Sequence, residues 1–270
     1  MDNRRTKQLI IGAIFIVIFI LIGYGIYSLV TPNPTCFDGI QNGKEEGIDC
    51  GTIAGCKVCS PEIQPVKVQW QKAIQSNIGS YDIVALVNNP NTAFGASRID
   101  YEISAIVLAQ PIRSFFYIAP GQTKYVIYPA VKADNLANVD FKIIQAEWRG
   151  LQNLSSENIN LVVRKKDYSV INSAGIYSQV EGAIYNDSNF DFDRIDIGVV
   201  LFDADNNVIG VGKTNILTLQ TRNERYYKVF WPTSLSGDVA RVDVEATTNI
   251  FDNTNFLKTH GTDEQFQTFY

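Results

Sequence analysis

The sequence predicts a mainly β protein with one N-terminal transmembrane helix, followed by two tandem immunoglobulin-like antiparallel β-sandwiches. Three observations support this prediction: an uncharged apolar run near the N-terminus, segments of alternating apolar and polar residues beyond Pro61, and an internal repeat. The 270 residues are 46% hydrophobic and 11% aromatic, which supplies enough apolar surface for folded cores. We therefore expect folded domains that follow a membrane anchor.

The anchor is predicted at residues 9–30, a run without any formal charge. At about 1.5 Å of rise per residue, a helix of this length covers the roughly 30 Å hydrocarbon core of a bilayer. A cleaved signal peptide is the alternative, but its apolar core has only about 7–15 residues and ends in small residues. We therefore predict an uncleaved signal anchor whose partner is the lipid bilayer.

The charges around this run predict its orientation. Arg4, Arg5 and Lys7 precede it, and Asp2 is the only acidic residue before Val30. Positive charge is retained on the cytoplasmic side of a membrane. Residues 1–8 are therefore predicted to be a cytoplasmic tail of a single-pass plasma-membrane protein, with all later residues outside the cytoplasm.

A cysteine-rich linker, residues 31–60, holds all four cysteines: Cys36, Cys50, Cys56 and Cys59. Their spacing lacks the paired short knuckles of structural zinc sites. Outside the cytoplasm, a segment too small to own a core favours disulfides. We predict two disulfides within the linker and leave all three pairings open, with zinc and free or intermolecular thiols as the alternatives.

The same linker contains oxygen-bearing side chains that could bind calcium. These are Asp38, Asn42, Glu45 and Asp49. Calcium prefers such ligands, but the order and spacing of an EF-hand loop are missing. We favour solvated turn residues over a metal site, and we predict no cofactor.

Two copies of one β-domain account for the rest of the chain. The first is predicted at residues 61–149 and the second at 157–249, with a hinge at 150–156 and a tail at 250–270. Each copy has about 90 residues, which suits a two-sheet sandwich of six or seven strands. The polar, turn-rich hinge would place the two copies in series.

The repeat is visible as a gapless alignment over the early strands, in which Tyr81 meets Tyr177 and Val84 meets Val180. Farther along, seven additional residues in the second copy shift the correspondence, and Pro129 meets Pro232. The sequence DADNNVIG at 203–210 predicts a longer hairpin there, and we assign the additional residues to it.

The turns of the two copies carry a family resemblance. Asn89-Pro90-Asn91 follows an apolar strand, and this pattern resembles the late-embryogenesis-abundant type 2, or WHy, β-sandwich domain. The second copy, with Asn186-Asp187-Ser188-Asn189 in that position, is similar to the bacterial FxLYD-type domain. The resemblance implies extracytoplasmic or stress-linked modules without their own chemistry. Loops on a rigid scaffold are candidate contact sites, here Asn89, Pro90, Asn91, Asn186, Asp187 and Asn189.

The linker has a resemblance of its own. Its pattern C-x-D-G-I-x-N-G-x-E-x-G-I-D-C-G, followed by C-x2-C, resembles a short cysteine-rich motif of bacterial surface proteins. The resemblance implies a surface location beside other modules.

Few function classes fit the composition. Residues 31–270 carry 20 basic and 27 acidic residues, and this net charge of −7 disfavours nucleic acid. The one tight cationic cluster in that range, residues 164–166, is typical of a solvated strand. The only histidine, His260, lies in the tail, and no phosphate-binding loop or nucleophile elbow is present. We predict no enzyme but a binding, adhesion or scaffold protein of the cell envelope, with a protein or envelope partner. The alternative is an accessory subunit of a membrane-embedded secretion, pilus or transport complex, contacted through Gly12, Gly23 and Gly25.

Overall fold

The computed structural model describes residues 3–30, 36–57, 59, 63–151, 159–173 and 175–253. It confirms the predicted fold class: one N-terminal helix, α1 (Asn3–Val30), precedes an antiparallel β protein. The chain divides into two compact units, residues 1–62 and 63–270. The hinge beyond Leu151 and the tail beyond Asn253, with His260, lie outside the described residues.

Helix α1 is apolar on every side over its central part. The window Lys7–Tyr27 is long and apolar enough to cross a membrane. Its large side chains are exposed, for example Leu9 at 74% and Phe19 at 71%, because nothing in the described part of the unit packs on these two. Such a surface fits lipid and not water.

The second unit consists of strands that repeat one topology twice. In each half, the first, second and fifth strands form one sheet, and the third, fourth and sixth form another. In the described residues the first half contains β1 (Lys67–Asn77), β2 (Ser80–Asn88), β3 (Phe94–Ser104), β4 (Ile112–Ile118), β5 (Thr123–Lys132) and β6 (Asp140–Gly150). The second half contains β7 (Leu161–Ser173), β8 (Ile176–Asn186), β9 (Phe192–Phe202), β10 (Val208–Leu219), β11 (Glu224–Trp231) and β12 (Arg241–Thr247).

Each half encloses its own core between its two sheets. Ile83, Ile99 and Phe116 belong to the first core, and Val180, Ile195 and Ile216 belong to the second. Side chains from two sheets therefore meet face to face in each half, which is the arrangement of a sandwich.

The correspondence between the halves differs from the gapless alignment on β2 and β8. Val84 faces away from the first core, whereas Val180 lies inside the second. The residue that matches Val180 by its side-chain direction is Ile83, because a shift of one residue turns a strand over. The segment from Asn89 to the carbonyl that it binds, Phe94, is accordingly one residue longer than the matching segment from Asn186 to Phe190.

The assignment of the seven additional residues to the 203–210 loop is also corrected. The connection between β9 and β10 covers only residues 203–207, and β10 has 12 residues where β4 has seven. The β9–β10 hairpin is longer than the β3–β4 hairpin, as predicted, but its additional residues lie in the strands and not in the loop. Two further residues lie in the connection 232–240, which has nine residues where 133–139 has seven. Farther on, the predicted shift holds for β6 and β12, since Phe141 pairs with Ile103 as Val244 pairs with Val199.

The halves pack side by side and not in series. A third apolar cluster joins Ile74, Val84 and Ile127 of the first half to Val200 and Val211 of the second. Polar contacts add to this apolar interface between the halves. Lys72 Nζ, for example, donates to the carbonyl of Val208 at 3.2 Å. The two sandwiches therefore share one interior, which differs from the predicted arrangement in series.

The shared interior predicts that both halves unfold together. In the full chain in detergent, Val200→Asp should lower the melting temperature and the free energy of unfolding by about 3 kcal/mol or more, because it buries an unpaired charge. Wild type should show one thermal transition by circular dichroism. The control Val170→Asp, at a side chain that is 56% exposed, should leave the melting temperature within a degree or two. Two separate wild-type transitions would contradict the shared interior.

Candidate binding cleft between the repeats

The linker is held together by two interlaced disulfides. Cys36 pairs with Cys56, and Cys50 pairs with Cys59. Gly51 adopts a φ of +134°, and a Cβ there would lie 2.6 Å from the backbone nitrogen of Glu46. Only glycine fits this close approach. Disulfides are typical of small units that lack a hydrophobic core, and they take that role here.

The oxygens predicted as calcium ligands serve mostly as acceptors within the linker. Asp49 accepts the N–H groups of Asp38 and Gly39 at 2.9–3.0 Å, and Asp38 accepts from Asn42 Nδ2 at 3.1 Å. Glu45 accepts the N–H of Asn42 at 3.2 Å. These contacts fold the linker in the manner of turn residues. Cys36, Glu45 and Cys56 lie close together, but both sulfurs are already bonded to each other. Calcium binding stays a prediction.

The disulfide pairing gives a direct test. Trypsin after Lys44 and Lys57 and elastase after Ala54 place the four cysteines on four different peptides. Without reductant, mass spectrometry should find the Cys36 peptide linked to the Cys56 peptide and the Cys50 peptide linked to the Cys59 peptide. Reduction should release all four and add four hydrogens to the intact chain. A peptide pair joining Cys36 to Cys50 would overturn this pairing.

Several of the loop residues predicted as contact sites are instead buried and hydrogen-bonded within the sandwiches. Asn89 and Asn186 are both fully buried. Asn89 Nδ2 donates to the carbonyls of Phe94 and Ala119, at 2.7 and 2.9 Å. Asn186 Nδ2 donates to the matching carbonyls of Phe190 and Leu219, at 2.7 and 3.2 Å. Each asparagine therefore ties the turn after its strand to the opposite sheet.

The other residues of these loops differ in accessibility. Asn91 is 9% exposed and bonds to both the N–H and the carbonyl of Gln64. Asp187 forms an ion pair with Arg222, which also donates to Asn189. Pro90, Asp187 and Asn189 keep accessible surface, and a contact role for them stays a prediction.

A cleft of about 590 Å³ lies where the two repeats meet. One wall comes from β4 and β5 of the first half, with Tyr117, Lys124 and Tyr125. The facing wall comes from β9, β10 and β12 of the second half, with Asp196, Lys213 and Glu245 among its residues. This cleft was not predicted from the sequence, because its two walls are far apart in the chain.

Lys124 is the unusual group of the cleft. It is 7% exposed, and its Nζ lies 3.4 Å from the centroid of the Tyr117 ring. The ring face attracts the cation. Burial lowers the pKa of Lys124 to about 8, and the carboxylates of Glu245 and Asp196 oppose this shift.

The acids around Lys124 are engaged by other donors. Asp196 accepts from Arg194 Nε at 2.7 Å and from the Tyr117 hydroxyl at 2.9 Å. Glu245 accepts the N–H of Tyr125 at 2.9 Å. Burial raises the pKa of Glu245 to about 7, against the effects of the Tyr125 N–H and of Lys124. Burial and the Asp196 charge also raise the pKa of Tyr117, so its hydroxyl stays protonated and donates.

A signal for Lys124 was present in the sequence. It stands two residues before Val126 and four before Tyr128, which both contact the first core, so it has the strand position of a core residue. Lysine is almost never fully buried without a partner. A lysine in register with core residues therefore marks a candidate site.

No protein-family model matches the chain, and no curated protein matches it. The resemblances to the WHy and FxLYD-type domains and to the cysteine-rich surface motif therefore stay predictions. The geometry of the cleft has to be interpreted from its own residues.

The two shifted pKa values predict the pH dependence of stability. Because the pKa of Glu245 is raised from 4.5 to about 7, the folded chain binds more protons than the unfolded chain in that range, and stability falls as pH rises through it. Because the pKa of Lys124 is lowered from 10.5 to about 8, the unfolded chain binds more protons between these values, and stability rises there. The contribution of Glu245 and Lys124 to the stability of the folded chain is therefore least favourable between about pH 7 and 8.

A double variant tests this pair. Lys124→Met with Glu245→Gln keeps an acceptor for the Tyr125 N–H and removes both titrations, so the full chain at pH 7.5 should be as stable as wild type or more stable by about 1–4 kcal/mol. This gain in stability over wild type should be smaller at pH 5 and at pH 9.5, where the wild-type pair is less unfavourable. Thermal unfolding of both proteins at the three pH values measures the gain. The control Lys142→Met with Glu147→Gln, both exposed on β6, should change all three values equally little. A gain that is independent of pH would contradict the assignment.

Proposed function

We propose that this chain is a membrane-anchored binding or scaffold protein of the cell envelope, with its N-terminus in the cytoplasm and its β-sandwiches outside. The observation that carries the proposal is an apolar helix of membrane length followed, within 30 residues, by two disulfides. Disulfides form and persist in oxidising compartments. The charges of Arg4, Arg5 and Lys7 support the same orientation.

The side-by-side packing supports a rigid binding body and not an extended stalk. Two sandwiches with a shared interior hold their loops and their common cleft in fixed positions, and binding sites on rigid scaffolds lose less freedom when a partner binds. We propose binding without catalysis, and the resemblance to WHy and FxLYD-type modules agrees with that role.

Orientation is tested with an alkaline phosphatase fusion at the C-terminus, because this reporter is active only outside the cytoplasm. The wild-type fusion should be active in whole cells. Changing Arg4, Arg5 and Lys7 to Glu should reduce activity severalfold by removing the cytoplasmic retention signal. The matched change of Lys142, Arg149 and Lys165 to Glu should leave the activity unchanged. An inactive wild-type fusion that is expressed in full would overturn the proposed orientation.

An accessory role in a membrane complex is the second candidate. Added Cβ atoms at Gly12 and Gly23 would meet nothing within 4 Å among the described residues, so these two positions are open to a partner helix. Gly12→Leu with Gly23→Leu should then abolish co-purification of a partner from the native membrane. The control Ile16→Leu with Ile20→Leu should retain it. Equal recovery with both variants would support a simple anchor.

A further inference from the structure

We propose that the cleft between the repeats binds a small organic acid, with the buried ammonium of Lys124 as the counter-ion of its carboxylate. The inference deepens the binding role proposed above and names the chemical class of its ligand. It does not depend on the orientation in the membrane.

The first argument is that Lys124 lacks a hydrogen-bond acceptor. Its ammonium carries three donors, yet it donates to none of the residues that the structure describes. The Tyr117 ring offers only its face. Buried polar groups are almost always hydrogen-bonded, and this ammonium lines an open cleft. An acceptor that enters the cleft would complete its contacts.

The second argument concerns the sign of the missing charge. Both oxygens of Asp196 are held by Arg194 and Tyr117, and Asp252 accepts from Asn249 Nδ2 at 2.8 Å. The cations Arg194 and Lys213 line the same cleft as Lys124, and Lys213 Nζ donates to a backbone carbonyl. The cleft therefore carries three cations, Lys124, Arg194 and Lys213, beside the three acids Asp196, Glu245 and Asp252. Among these cations only Lys124 has all its donors available for an incoming carboxylate.

The third argument is the size and lining of the cleft. About 590 Å³ is far more than a carboxylate or phosphate ion fills, and it falls within the range of small-molecule sites. Phe115, which is 58% exposed, and Tyr101, Ile127 and Ile197 provide apolar and aromatic walls. Ser114, Thr214 and Asn215 provide hydroxyl and amide groups. The ligand should therefore have a carbon body of about the size of an aromatic ring or a sugar.

The charged and titratable groups that face Lys124 come from three strands. They are Asp196 on β9 and Glu245 on β12, beside the neutral, titratable Tyr117 on β4. Protonation of Glu245 removes the negative charge that acts most strongly on Lys124. A bound carboxylate should therefore be held more tightly at pH 6 than at pH 9, where Lys124 also loses its proton.

The test measures binding to the full chain in detergent by titration calorimetry at pH 6.5. Benzoate is compared with its neutral analogue benzamide, and glucuronate is compared with glucose, so that an aromatic acid and a sugar acid are distinguished. Inorganic phosphate is included as an oxyanion without a carbon body. At least one acid should bind saturably, and its neutral counterpart should bind at least tenfold more weakly. Saturable binding of phosphate alone would overturn the assignment to organic acids, and so would the absence of any acid binding.

Variants locate the binding acid. Lys124→Met should weaken its binding at least tenfold, and Lys142→Met, which removes an exposed lysine, should leave it unchanged. If Lys124→Met does not fold, protection of lysines in the wild-type chain locates the site instead. The bound acid should protect Lys124, but not Lys142, from acetic anhydride in peptide mapping by mass spectrometry. Binding without protection of Lys124 would overturn the site, while the phosphatase fusion would still report on the proposed membrane orientation.

Discussion

Burial of both faces of β2 and β9 is the constraint on which the second unit depends. On β2, Ile83 belongs to the core of the first half, while its neighbour Val84 belongs to the cluster between the halves. On β9, Val199 and Val200 divide in the same way. A sheet whose two faces are buried needs apolar residues at consecutive positions, and both strands have them. Removal of either half would expose a hydrophobic sheet face to water.

The cleft is a consequence of this packing. The apolar cluster covers the sheets only in part, and beyond it the facing strands carry Tyr117, Lys124 and Glu245. A neighbouring sandwich excludes water from these groups without filling the space between them. Electrostatic interactions strengthen in such surroundings, and the pKa values of Lys124 and Glu245 move toward each other because burial disfavours both charges.

The parts that could be predicted from the sequence are those that depend on local pattern. The charge-free run gave helix α1, and alternation with turn residues gave the strands, because both signals repeat within a few residues. The side-by-side packing of the halves was not predicted, because apolar–polar alternation along a strand does not show what covers the sheet face that lies away from the core. The runs IVALV and VVLF on β2 and β9 carried that information. Asn89 and Asn186 look like contact residues in the sequence, because polar turn residues are usually exposed. Their burial depends on carbonyls of the opposite sheet, which the local sequence does not identify.

The two halves share one topology, yet the cleft forms only at their junction. Lys124 pairs with Val87 at the end of β2, and the matching position on β11 is Arg225, which pairs with Ile184 and is exposed. The position of Tyr117 is taken by Leu217, which is 64% exposed. Among the described residues no sandwich covers these positions, because the stacking joins unlike sheets of the two halves. The ion pair Arg98–Asp100 repeats as Arg194–Asp196, yet only Asp196 meets a partner from the other half. Equivalent residues thus acquire different chemistry from their neighbours alone, and the proposed binding site belongs to the junction of the repeats and not to either repeat.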